Sequence, residues 1–174
     1  DPANPDLLSE YRFQNNIMPR KGVVHNERAF IISGANVYVL SVENPNRIRL
    51  IGQFQVQGNI LDAVIENDIF YSANGLSRQG ESQGALIITD ISDLNNTRDI
   101  SISYIEDVLL ESIVKVDNHI IVAGAGAGVR AFDVSDLENP EQVAHYQFSA
   151  ERLFHTEGLI YAIGPPGTFN EMKV

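Results

Sequence analysis

The chain has no cysteine and no tryptophan, and methionine occurs only twice. Without cysteine there is no disulfide, no thiolate metal site and no cysteine nucleophile. Positive charge is scarce: 12 Lys and Arg stand against 23 Asp and Glu, a formal net charge of −11. With a pI near 4.6, the chain lacks the basic footprint of a protein that binds nucleic-acid phosphates. An anionic membrane surface repels such a chain. No apolar run approaches the ~20 residues that span a bilayer, so membrane insertion is not expected. Sustained helical periodicity is missing too. Glu106–Val116 has some helical spacing, but β-branched Ile113, Val114 and Val116, followed by Asp117-Asn118, favour a strand.

What is present is ordinary globular composition: 174 residues, 44% hydrophobic and 20% charged. That suffices for one domain with a core and argues against disorder. The chain opens Asp1-Pro-Ala-Asn-Pro5 without an initiator Met or a signal core. It stops at Glu171-Met-Lys-Val174, inside a strand-like run. Both ends read as those of a piece processed or cut from a longer protein.

An Asn-Pro-like punctuation recurs at Asn4-Pro5, Asn44-Pro45, Asn96-Thr97 and Asn139-Pro140, at spacings of 40, 52 and 43 residues. The long interval contains a polar insertion of nine residues, Gly75 to Gln83. A β-rich period in the low forties is that of propeller blades. Each unit repeats one grammar. A short alternating strand comes first: Leu7 to Phe13, Ile48 to Phe54, Ile100 to Tyr104, Val143 to Phe148. An inner apolar strand follows, then a two-residue turn and a second apolar strand. The turns are Asn26-Glu27, Asn67-Asp68, Asp117-Asn118 and Glu157-Gly158. Asn, Asp and Gly tolerate the positive φ that tight hairpins require. A small-residue connection and a last strand complete the unit. The repeat units are approximately 1–42, 43–92, 93–135 and 136–174. The prediction is an all-β propeller of about four four-stranded antiparallel blades, or a fragment of a larger one. The first strand, Leu7 to Phe13, is expected to pair with the last and seal the ring. An open array would instead self-associate through its unpaired blade edges.

Two segments carry a family signature. Ala85-Leu-Ile-Ile-Thr-Asp-Ile-Ser-Asp93 and Gly128-Val-Arg-Ala-Phe-Asp-Val-Ser-Asp136 resemble the core of the LVIVD repeat. Asp1 to Pro5 and Leu137 to Pro140 resemble its tail. The first unit departs, because Val39 to Pro45 is shorter and lacks the Asp. The resemblance covers essentially the whole chain. It implies a β-propeller of a bacterial or archaeal secreted or surface protein, hence an extracellular, cell-surface or periplasmic location. It implies no reaction, because the family is defined by a scaffold.

The candidate sites follow from topology. In a propeller, the connections entering the innermost strands ring one mouth of the central channel. Aligned on the turns, these are Arg20 and Lys21, Leu61 and Asp62, Glu111 and Ser112, and Glu151 and Arg152. Such a ring suits a polar ligand or an ion. Among the four histidines, His25, His119, His145 and His155, none forms a close ligand pair, and His155 lies nearest the mouth acids. The insertion, with Leu76, Arg78, Gln79 and Glu81, is expected to be a partner-binding loop. Gly124 to Gly128 looks superficially like a phosphate loop, but a strand follows it where a dinucleotide site needs a helix. It reads as a hairpin turn. Asp90, Asp93, Asp133 and Asp136 read as Asx turns at strand ends, with Ca²⁺ ligation the alternative. No other cofactor is expected. The leading functional expectation is a non-enzymatic module that binds a protein or glycan partner through face loops. The alternative is a propeller-type enzyme, or a small-ligand- or metal-binding protein, with a polar site at the channel mouth that uses Asp62, Glu111, Glu151 and His155.

Overall fold

The computed structural model describes residues 5–14, 17–78, 81–106, 108–164 and 169–173. Fifteen strands form four antiparallel sheets, and no helix occurs among the described residues. Blade 1 contains β1 (Lys21–His25), β2 (Arg28–Ser33), β3 (Asn36–Ser41) and β4 (Arg49–Gln55). Blade 2 contains β5 (Asn59–Glu66), β6 (Ile69–Arg78), β7 (Glu81–Asp90) and β8 (Arg98–Glu106). Blade 3 contains β9 (Ser112–Val116), β10 (His119–Gly124), β11 (Gly128–Asp133) and β12 (Glu141–Tyr146). Blade 4 has three strands, β13 (Arg152–Thr156), β14 (Leu159–Ile163) and β15 (Phe169–Lys173). Within each sheet the strands follow chain order. The inner strands adjoin in sequence, β1 beside β5, β5 beside β9, β9 beside β13. This is a propeller-like fold of about four blades.

Local chemistry explains the meander. Asn26 and Glu27 have φ of 47° and 58°, and Asn67 and Asp68 have 50° and 58°. Positive φ at both central residues is the twist-matched turn of a two-residue hairpin. After each third strand the chain is tied back to that turn. Val42, Ile91 and Val134 donate their N–H groups to the carbonyls of Glu27, Asp68 and Asn118, at 2.8, 2.9 and 2.8 Å. The third and outermost strands of blades 1 to 3 each carry a bulge, which strengthens their twist.

The middle strands of blades 2 and 3 are apolar on both faces because each of these blades is sandwiched between two others. In β10, Ile120 and Val122 pack toward blade 2 while Ile121 and Ala123 pack toward blade 4. Fully burying such a side chain is worth about 1.5–3 kcal/mol. Between blades 1 and 2, Phe54 and Phe70 meet edge to face at 5.4 Å, among Ile32, Val39, Ile60 and Ile87. Among the described residues no comparable cluster joins blade 4 to blade 1. Val24 and Phe154, whose chain neighbours pack into the clusters, are 71% and 54% exposed.

Two expectations are corrected. Leu7 to Phe13 is not a strand and does not pair with β15. It lies against blade 1, where the Ser9 hydroxyl donates to the Pro45 carbonyl at 2.7 Å and Phe13 meets Tyr38 at 5.2 Å. Tyr38 alternates with the core residues Val37 and Val39, so the segment covers the face of blade 1 turned away from blade 2. There its rings meet edge to face, Tyr11 on Phe13 at 5.0 Å and Phe13 on Tyr38, a contact that aromatic side chains favour. The insertion is not a loop either. Gly75 pairs with Gly84, Leu76 with Gln83, and Arg78 with Glu81, so it extends the β6–β7 hairpin.

Candidate functional site at the channel mouth

The four inner strands begin at one end of the propeller. Arg20, Glu111 and Glu151 each donate a backbone N–H to the last carbonyl region of their own second strand. The acceptors are Ile32, Ala123 and Ile163, at 2.8, 2.7 and 2.8 Å. This sets Lys21, Ser112 and Arg152 as the first residues of β1, β9 and β13. Blade 2 departs: β5 carries a bulge between Ile60 and Asp62. The extra residue re-aims the following side chain. Asp62 is buried, with 7% exposure.

Asp62 is the hub. Its Oδ1 accepts from the Lys21 ammonium and from the Ala63 N–H at 2.8 Å. Its Oδ2 accepts from the Ser112 hydroxyl at 3.2 Å and the Ile113 N–H at 3.0 Å. Ser112 Oγ in turn accepts the Leu153 N–H at 3.0 Å. One chain of bonds, Lys21–Asp62–Ser112–Leu153, therefore passes through the inner strand of every blade. Charge burial is tolerated on these terms, with a counter-ion and each oxygen satisfied.

A cavity of about 280 Å³ opens over this network. Its wall takes Arg20 and Lys21 from blade 1, Leu61 and Asp62 from blade 2, Ser112 from blade 3, and Arg152, Leu153 and Phe154 from blade 4. Three cations and one carboxylate face it, on a chain of net charge −11. The Lys21 amine titrates below its ordinary value. Burial is the main cause and the Arg152 guanidinium the second, against the pull of the Asp62 carboxylate it touches. Blades 1 and 4 thus sense each other electrostatically at the mouth. Arg152 Nη1 donates to the Glu111 carbonyl at 3.4 Å. Among the described residues neither Arg20 nor Arg152 has a carboxylate partner.

The structure thus gathers Arg20, Lys21, Asp62 and Arg152 in one cavity wall, as the turn alignment places them. It does not gather the rest. Glu111 and Glu151 lie outside the wall, and the one bond from Arg152 toward Glu111 is to its backbone carbonyl. His155 stands three residues along β13 from Arg152, exposed and opposite Ile160. The expected convergence of several carboxylates with a histidine is corrected to one carboxylate among three cations. Sequence reading missed the bridging role of Ser112 and the Phe154 lip. For Phe154 a signal existed: it stands two residues from Arg152, on the same face of a strand.

The other candidates resolve on their own geometry. Leu76 packs against the cluster between blades 1 and 2. Arg78 and Glu81 are backbone partners in the extended hairpin, and Gln79 lies outside the described residues. Gly124 to Gly128 is a turn between β10 and β11. Asp90, Asp93, Asp133 and Asp136 each accept the N–H two residues on, from Ser92, Asn95, Ser135 and Glu138, at 2.8–3.0 Å. These are Asx turns. His145 Nε2 lies 3.1 Å from the Ala127 carbonyl, and His25 Nε2 lies 3.0 Å from the Asn26 side-chain nitrogen. Among the described residues no group of three or more His, Cys, Asp or Glu is placed to hold a metal ion.

No family model matches the chain, and no curated protein matches it. Solved structures do. The computationally designed Ika4 protein superposes with a TM-score of 0.65 at 10% identity, over 98% of this chain and 99% of that one. The N-terminal domain of Nup159 superposes with a TM-score of 0.50 at 11% identity, over 87% of this chain and 42% of that one. At such identities the likeness is one of fold.

Proposed function

We propose that this chain is a non-enzymatic recognition module of a cell-surface or secreted protein. It engages a protein or glycan partner with the face that carries the channel mouth. The observation behind this reading is the Lys21–Asp62–Ser112–Leu153 network, which ties the four inner strands together beneath a cation-rich recess. Convergent polar groups in a preformed concavity are the usual form of a binding site. The one hydroxyl there is engaged: Ser112 donates to Asp62 and accepts from Leu153, with no imidazole in the network to activate it. The location follows the LVIVD resemblance of residues 85–93 and 128–136.

The test is an array of immobilised glycans and peptides probed with the wild-type chain and two variants. Arg152→Glu alters the mouth, and Val143→Ser alters the exposed perimeter strand β12. Ligands that survive Val143→Ser and vanish with Arg152→Glu are expected. Ligands indifferent to Arg152→Glu would move the recognition surface elsewhere.

A further inference from the structure

We infer that the mouth accepts a single dianionic oxyanion, a phosphate monoester group carried by the partner, clamped between Arg20 and Arg152. This rests on the reading of the mouth as the binding site and names the chemistry it selects.

Charge comes first. The only carboxylate in the wall is consumed: both Asp62 oxygens are filled by Lys21, Ala63, Ser112 and Ile113. Lys21 is neutralised in the same contact. Two guanidiniums remain, Arg20 and Arg152, exposed and without a carboxylate partner among the described residues. Two uncompensated positive charges match one dianion better than one monoanion.

Placement comes second. The two arginines come from blades 1 and 4, and both line the same cavity. Like charges aimed into one recess repel, and an anion between them turns repulsion into attraction. Planar guanidinium forks suit tetrahedral oxyanions, with two parallel N–H donors each. A volume of about 280 Å³ suits one headgroup rather than a polymer segment. Phe154, 54% exposed, supplies an apolar lip for the carrier of that group. The rest of the chain is strongly acidic, so the two arginines stand out as a local positive spot and anion binding elsewhere is disfavoured.

Titration calorimetry at low ionic strength and pH 8 decides the matter, with inorganic phosphate, sulfate and acetate as probes. Phosphate and sulfate are expected to bind one per chain, with acetate about tenfold weaker or more. Arg20→Gln combined with Arg152→Gln is expected to weaken phosphate about tenfold or more in a chain that still unfolds cooperatively, since both side chains are exposed. Acetate as tight as the dianions, or a double variant that binds like wild type, overturns the inference. The two readings fail separately. Array ligands that need Arg152 while no dianion binds would sink the oxyanion chemistry alone. Dianions bound at the arginines while array ligands ignore them would sink the recognition role of the mouth.

Discussion

The Ser112 hydroxyl donates to the Asp62 carboxylate at 3.2 Å, across the boundary between blades 2 and 3 and fifty positions of sequence. This contact ties the buried acid to the next blade. Because Ser112 also accepts the Leu153 N–H, the same hydroxyl carries the connection on to blade 4. Asp62 and Ser112 are therefore positioning residues for the cationic wall.

Removing the acid strands its donors. Asp62→Ala leaves the Lys21 ammonium without its counter-ion and the Ile113 N–H without an acceptor. A loss of about 3 kcal/mol of stability is expected, the lower end for breaking a buried pair, since Lys21 is partly exposed. Asp62→Asn keeps an acceptor and loses less. Urea unfolding of both variants checks the order. An Asp62→Ala midpoint equal to wild type would show that the network is incidental.

Lys21 reports the proximity of blades 1 and 4. Its pKa lies below the ordinary 10.5, through burial first and Arg152 second. Between the lowered value and 10.5 the unfolded chain holds more protons, so stability rises with pH through that window. Arg152→Gln removes the second cause. The Lys21 pKa should then move up and the pH slope should shrink, as followed by side-chain NMR titration and by unfolding at pH 8 to 10. An unmoved Lys21 pKa would mean that the two blades do not meet at the mouth in solution.

The Asx turns predict acid sensitivity. Asp90 and Asp133 titrate below 3.8 because serine side chains and then backbone N–H groups, of Ser92 and Ser135, bond their ionised forms. Asp136 does so through the Asn139 side chain and then the Glu138 N–H. A lowered carboxylate pKa stabilises the fold above 3.8, and that contribution disappears as pH falls through the lowered value. Replacing all three by Asn should flatten the fall in urea midpoint between pH 5 and pH 2. An unchanged acid limb would assign acid sensitivity to other carboxylates.

Gly124 and Gly128 have no room for a side chain. A Cβ on Gly124 would sit 1.8 Å from the Leu109 carbonyl oxygen, and one on Gly128 would sit 2.2 Å from that of Tyr146, at a φ of +68°. Gly124→Ala should cost about 2–3 kcal/mol by forcing backbone apart. Gly22→Ala meets nothing closer than Ile31 Cδ1 at 3.6 Å and should change stability by no more than about 0.5 kcal/mol. Thermal unfolding separates the two. Equal midpoints would show that the Leu109 backbone does not lie against Gly124.

Much of the scaffold was legible in local chemistry. Asn26-Glu27 and Asn67-Asp68 declare hairpins because their residue types tolerate positive φ. The unbroken apolar run of β10 declares a strand buried on both faces. Where reading failed, a tertiary partner outweighed the local signal. Leu7 to Phe13 alternates like a strand, yet Tyr11 and Phe13 find a better surface beside Tyr38. Gly75 to Gln83 is polar and glycine-rich like a loop, yet its two arms pair with each other.

The sequence by itself determined the repeat, the turns, the Asx caps and which residues enter the inner strands. These depend on neighbours within a few positions, and periodicity records them. Only the tertiary structure decided that Asp62, rather than Glu111 or Glu151, becomes the acid of the mouth. Its partners lie 41, 50 and 51 residues away, and a single bulge at Leu61 turns it toward them. Bonds over such separations leave no period in the chain; they exist because four curved sheets bring the starts of four strands to one point.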